Sequence, residues 1–155
     1  MERLSDGERR TLGALEGWAD LARVRVHRGT GGVLARCVRA GVLAASGGRA
    51  VTLGNHVFLP ARAARDRAVL AHEVTHCGQF QRWGAARYFA RGALVQARDL
   101  VHRLTGRGAS PYAYALDGRP FEAYGMEQQG QLVEDAFRGD ALARAVAPGG
   151  AEPMA

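Results

Sequence analysis

His72, Glu73 and His76 are the residues whose types and spacing can do chemistry. They form the pattern H-E-x-x-H inside the segment LAHEVTHCGQF, residues 70–80. Residues four apart on a helix project from one face on successive turns. Two imidazoles placed this way can share one Zn2+ at ~2.0–2.1 Å. Glu73 lies beside that face, where it takes a proton from zinc-activated water without being a ligand. The pattern is a metalloprotease signature. Two His and a Glu also meet this spacing on helices that bind nothing. Here a hairpin pattern precedes the motif and an apolar run leads into it, and that context favours zinc.

A catalytic zinc needs three protein ligands and one open position. The run after His76, CGQFQRW, supplies no third histidine of the metzincin kind. His102 falls in a stretch with ordinary amphipathic packing and reads as a surface or partly buried His. The segment RPFEAYGMEQQ, residues 119–129, offers carboxylates instead. Pro120 suits the first position of a helix, which puts Glu122 in its first turn. An acid there also gains a few tenths of a kcal/mol from the helix dipole. Glu122 is taken as the ligand that completes a His2Glu site, with Glu127 in reserve. The two are five residues apart and point in different directions on a helix, so one ion does not take both.

Several elements must position these groups. Ser5 and Glu8 form a capping-box pattern at the start of a helix over 5–18. Residues 22–27, ARVRVH, alternate like a half-buried strand. After the Gly-rich run 29–32, residues 33–45 read as an Ala-rich helix. Two short β-rich runs, 50–53 and 56–59, flank Gly54-Asn55, a tight-turn dipeptide. A helix over 64–83 carries the motif, with Leu70, Val74 and Cys77 on its buried face. Further helices follow over 85–105, from Pro120 to about Phe137, and over 140–146. Strands crowd the first 60 residues and helices fill the rest, which predicts an α+β fold with a small sheet.

At 155 residues and 47% hydrophobic, the chain suits one domain with a real core. That domain is expected over 1–147, with a disordered Pro/Gly tail over 148–155. The net charge of +6 permits an acidic partner or nucleic acid. The basic residues are all Arg, however, and scattered, and no nucleic-acid motif accompanies them. Lys and Ile are absent, a bias of GC-rich genomes that weakens any argument from Arg to phosphate. Arg87, Arg91, Arg98 and His102 read as a solvated helix face. Cys37 and Cys77 are too few for a disulfide framework and are read as buried thiols in a reducing compartment. The polar start MERLSDGERR lacks a signal peptide's apolar region, and no run approaches a membrane span. The expectation is a cytoplasmic protein, with export by a signal-independent route left open.

Three segments together resemble a bacterial family of zincin-like domains associated with extracellular contractile injection systems. They are Arg25-Val26-His27, the run from Gly54 to Phe58, and the run from His72 to Gln79. The family pattern is a strand with R-V-H, a hairpin with G-x-x-I/V-F, and H-E-L-T-H-V-V-Q. The resemblance covers about residues 22–82 and, more loosely, RPFEAYGMEQQ. This chain has Val74 where Leu is usual and Cys77-Gly78 where Val-Val is usual. Gly125 also stands where the family's E-x-x-A pattern has Ala. The resemblance implies a gluzincin-like metallopeptidase in which a Glu on a later helix is the third ligand, and a peptide or protein substrate. It implies that the hairpin supplies an edge strand beside the cleft, to which an extended peptide can add. Tyr112, Tyr114 or Tyr124 would then be available to an oxyanion. Gln79, one turn beyond His76, is read as orienting a ligand or as solvated. The alternative function is a non-catalytic zincin-fold docking module of a secretion or injection-system assembly. The presence of Glu73 favours hydrolysis, because a purely structural zinc needs no general base.

Overall fold

The computed structural model describes residues 1–150. The fold is α+β, mainly helical with one small sheet. Strands β1 (Glu2–Arg3), β2 (Arg25–His27), β3 (Val51–Leu53) and β4 (His56–Phe58) lie in the order β1-β2-β4-β3. β1 pairs antiparallel with β2, β2 parallel with β4, and β4 antiparallel with β3. β3 is therefore an edge strand. It turns into β4 through Gly54, whose φ of +68° favours glycine, and the Phe80 ring would crowd a Cβ there at 3.3 Å. Alternation sets the two faces. Val26, Thr52 and Val57 are buried, while His27 and His56 lie on the other side, where His27 stacks on Phe58 at 4.3 Å.

Helix α1 (Asp6–Thr11) is shorter than its apolar stripe predicts. Its capping box forms, with the Ser5 N–H donating to Glu8 at 2.9 Å. The chain then tightens into a 3-10 turn over Gly13–Leu15 that buries Leu12 and Leu15. Helix α2 (Val33–Ala45) leans on the sheet through its C-terminal part, where Leu43 is buried. Cys37 is consequently exposed, contrary to the expectation of two buried thiols; Cys77 is buried.

Helix α3 (Arg67–Trp83) is the centre of the molecule. Asp66 caps it by accepting from the N–H groups of Ala68 and Val69, and this places its start after the predicted residue 64. Every residue from Leu70 to Gln79 is buried. One side packs on the sheet, where Val74 and Cys77 join the core with Val26 and Val57. The other side packs on helix α5 (Met126–Phe137). Trp18 closes a third side: its indole N–H donates to the Thr75 carbonyl at 3.0 Å, and its ring meets Phe121 edge-on at 4.9 Å. Gly84 ends α3 at φ +76° and leads into helix α4 (Ala85–Thr105). Helix α6 (Ala141–Val146) packs on α5. Residues 147–150 form a turn, and the rest of the predicted tail, 151–155, lies outside the described residues. No helix is long and apolar enough to cross a membrane.

Candidate metal centre

The motif's two histidines leave α3 on the side facing α5. Their ring centroids are 5.0 Å apart, and both residues are buried. Between them stands Glu127. Its Oε2 is 3.7 Å from His72 Nε2 and 3.5 Å from His76 Nε2. These separations exceed the ~2.7–3.2 Å of a good hydrogen bond. They lie close to the roughly 3.3 Å between two ligand atoms that share a tetrahedral ion at ~2.0–2.1 Å. His72, His76 and Glu127 together offer one ligand atom each within 4.8 Å of one another.

Glu122 is not brought to this group. Pro120 opens a 3-10 turn over Phe121–Ala123 and not a helix, and Glu122 is exposed on it. Tyr124 is extended at ψ 152°, and the helix starts afresh at Met126. Glu127 therefore falls in the first turn of α5, facing α3. The missed signal is local. The Gln128 side chain accepts from the Gly125 N–H at 2.9 Å, so G-x-x-Q marks the true helix start.

The outer nitrogens of both imidazoles are already engaged. His72 Nδ1 lies 3.1 Å from Glu134 Oε2, and His76 Nδ1 lies 2.7 Å from Gln79 Oε1. A ring whose Nδ1–H donates to an acceptor presents the Nε2 lone pair, the form a metal needs. Gln79 is fully buried, and its amide N–H2 donates to the Met126 carbonyl and to Gln129 Oε1. Gln129 in turn donates to the carbonyls of Phe121 and Tyr124. The amide pair thus ties α3 to the start of α5. Gln79 is an orienting residue, not a solvated one. Glu134 is held from behind by Arg138, whose Nη2 lies 2.8 Å from Glu134 and 3.1 Å from the helix cap Asp66.

Burial opposes charge on His72, but the carboxylates of Glu127 and Glu134 outweigh it and raise its pKa to about 10. His76 is raised too, against its burial, chiefly by Glu127. Glu127, although buried, is held well below the usual carboxylate range by His76 and His72. Hydrogen bonding to His72 and the Arg138 guanidinium lower Glu134. These four groups pair two basic histidines with two carboxylates, a nest that a divalent cation can enter by displacing protons. The donor set fits zinc: two imidazole nitrogens and one carboxylate oxygen, each oriented by a second hydrogen bond or by helix position.

Glu73 lies next to the ligands on the sheet side. The Thr52 hydroxyl reaches its Oε2 at 2.7 Å, and Glu73 lines the same cavity as the metal group. That cavity, about 1020 Å3, runs between α4 on one side and α2 with β3 on the other. Among the three tyrosines considered, Tyr112 lines it. Tyr114 bonds to Asp135, and Tyr124 bonds to the Ala115 carbonyl. His102 is on α4 and does not line it. β3 does border the cleft as an edge strand, yet its outward Thr52 carbonyl already accepts from the Tyr88 hydroxyl at 2.9 Å.

A family model described as the eCIS core domain matches residues 3–84, more than half of the chain. The matched span includes His72, Glu73 and His76 and stops before α4, so Glu127 and Glu134 lie beyond it. No curated protein and no solved structure matches.

Proposed function

The chain belongs to the eCIS core domain family, named for extracellular contractile injection systems, and from that premise we propose that it is a zinc-dependent, gluzincin-like peptidase serving such an assembly. The observation that carries this reading is the convergence of His72 Nε2 and His76 Nε2 on Glu127, with both Nδ1 atoms engaged elsewhere and Glu73 alongside.

His72, His76 and Glu127 would hold the ion. Zinc supplies Lewis acidity that polarises a peptide carbonyl and makes water a better nucleophile near neutral pH. Glu73 accepts a proton from the attacking water and passes it to the departing amine. Thr52 fixes one of its carboxylate oxygens and leaves the other for that exchange. Tyr112 accepts a hydrogen bond from Arg49 at 3.2 Å, so its own proton is free to donate into the cleft, where a tetrahedral oxyanion needs one.

The test is zinc content of the parent chain, followed by hydrolysis of a mixed peptide pool by the parent and by Glu73→Gln. Stoichiometric zinc with Glu73-dependent cleavage supports the reading; a chain that takes up no zinc at neutral pH sinks it. A docking module is the second reading, favoured by the exposed Val33, Leu34 and Val38 on α2. Zinc uptake without cleavage of any peptide would favour it.

A further inference from the structure

The cleft beside the metal group, about 1020 Å3, is at the upper end of the ~300–1,000 Å3 of small-molecule sites, and its lining combines acidic, apolar and basic residues. At the metal group its acidic lining residues are Glu73, Glu127 and Glu134. Its two walls are apolar, with Val42, Ala45 and Val51 facing Phe89 and Ala93. The basic lining residues outside the metal group are Arg49 and Arg103.

Arg49 is the less satisfied of the two. Its guanidinium donates to neutral acceptors: the Tyr112 hydroxyl at 3.2 Å, Gln96 Oε1 at 3.5 Å and the Ser46 carbonyl at 3.4 Å. The nearest carboxylate is Asp99 Oδ2 at 3.8 Å, and that oxygen already pairs with Arg103 at 2.8 Å. Two guanidinium groups share one carboxylate, so this group of cleft residues carries net positive charge. A guanidinium is a planar fork of donors suited to a carboxylate. The β3 edge gives a substrate less than an open edge would, because Tyr88 occupies the outward Thr52 carbonyl. Side-chain recognition must then supply much of the affinity.

We infer that the cleft takes an extended, largely apolar peptide bearing a carboxylate that Arg49 receives, which makes Arg49 a specificity-determining residue. This rests on the peptidase reading of the metal centre and names the substrate class for it.

The experiment uses the full chain carrying Glu73→Gln, which holds a peptide without cutting it, and reads binding by fluorescence anisotropy. The probes are short dye-labelled peptides of Ala, Leu and Ser, amidated, identical except for one central Glu, Gln or Lys. A fourth is the Gln peptide with a free C-terminus. The Glu peptide is expected to bind on the order of tenfold more tightly than the Lys peptide. Arg49→Gln should remove that preference, and Arg49→Glu should reverse it, an outcome misfolding cannot imitate. Tighter binding of the free acid than of its amide would assign the carboxylate to a chain end. Equal binding of all four peptides, or a preference that survives Arg49→Gln, would overturn the proposal, and so would no binding at all. Zinc uptake and Glu73-dependent cleavage by the parent are read separately, so the hydrolase reading can stand when this one fails.

Discussion

Glu134 Oε2 lies 3.1 Å from His72 Nδ1, and Glu134 is seven residues beyond Glu127 on the same helix. Seven residues are close to two turns, so both carboxylates face α3. One addresses the inner nitrogens of the histidines and the other the outer nitrogen of His72. A single helix therefore carries both the carboxylate that would be the third ligand and the one that engages the His72 imidazole from its other side.

Zinc affinity should separate these roles. Glu127→Ala removes a ligand and should cost more affinity than Glu134→Ala, which should cost about 10–100-fold. Glu122→Ala should leave affinity unchanged, since Glu122 is exposed on the 3-10 turn. Competition with a chromogenic chelator measures all three. Loss of zinc in Glu122→Ala with retention in Glu127→Ala would reverse the assignment.

Much of this site was legible in the sequence. The spacing of His72 and His76 requires only that a helix form, and α3 has an apolar run through Leu70, Val74 and Cys77 and an Asp66 cap. The run 85–105 was delimited correctly because Gly84 and Gly106 bracket it. The sequence favoured Glu122 with Glu127 in reserve, and the structure brings Glu127 to the histidines because Pro120 opens a 3-10 turn and the helix restarts at Met126, with Gln129 bonding back to the Phe121 and Tyr124 carbonyls. Glu134 and the Gln79–Gln129 pair depend on how α5 docks against α3, and no local pattern encodes that docking. Gln79 lies within the matched family span, but that span ends at residue 84, before Gln129 and Glu134.

Stability and zinc affinity should respond to pH with opposite signs. Without metal, His72 rises from 6.5 to about 10, the two carboxylates outweighing burial. A raised histidine contributes stability that is full below pH 6.5 and is lost as pH climbs towards 10. Glu127 is lowered from 4.5, so its contribution is present above that pH and fades as pH falls further. The metal-free chain should therefore be most stable between these limits and weaken from neutral to alkaline pH. Zinc needs neutral imidazoles, so its affinity should rise over that same range with proton release. Thermal melts with and without zinc, and calorimetry in buffers of different ionisation heat, check both. A zinc affinity that is flat from pH 6 to 8 would contradict the protonated nest.

Two buried glycines should fail differently when changed to Ala. A Cβ at Gly78 would sit 2.4 Å from Trp18 Cδ1 and 2.9 Å from the Trp18 carbonyl oxygen. Trp18 cannot retreat without losing its bond to Thr75 and its contact with Phe121. Gly78→Ala should destabilise the fold by about 1–3 kcal/mol. A Cβ at Gly130 would sit 2.7 Å from His72 Nε2, the ligand nitrogen itself. Gly130→Ala should reduce zinc binding strongly with a smaller loss of stability, because helix propensity returns up to ~1 kcal/mol. Denaturant unfolding paired with zinc titration distinguishes the two.

On the peptidase reading Glu73 is the general base and Thr52 holds it, and their variants should show it. Glu73→Gln keeps the shape and the zinc but cannot accept a proton, so turnover should fall by about 10²–10⁴. Thr52→Val keeps the carboxylate but removes the hydroxyl that reaches Oε2 at 2.7 Å. Both residues are buried, so the carboxylate loses a partner that water replaces poorly. Thr52→Val should cost about 1–3 kcal/mol of stability. It should lower turnover less than Glu73→Gln does, because the base is present but no longer held. Thr52→Ser restores the hydroxyl and should recover most of both losses. If Thr52→Val and Thr52→Ser behave alike in kcat while both retain zinc, the hydroxyl does not position Glu73, and packing of the β3 edge against α3 must hold that carboxylate in place.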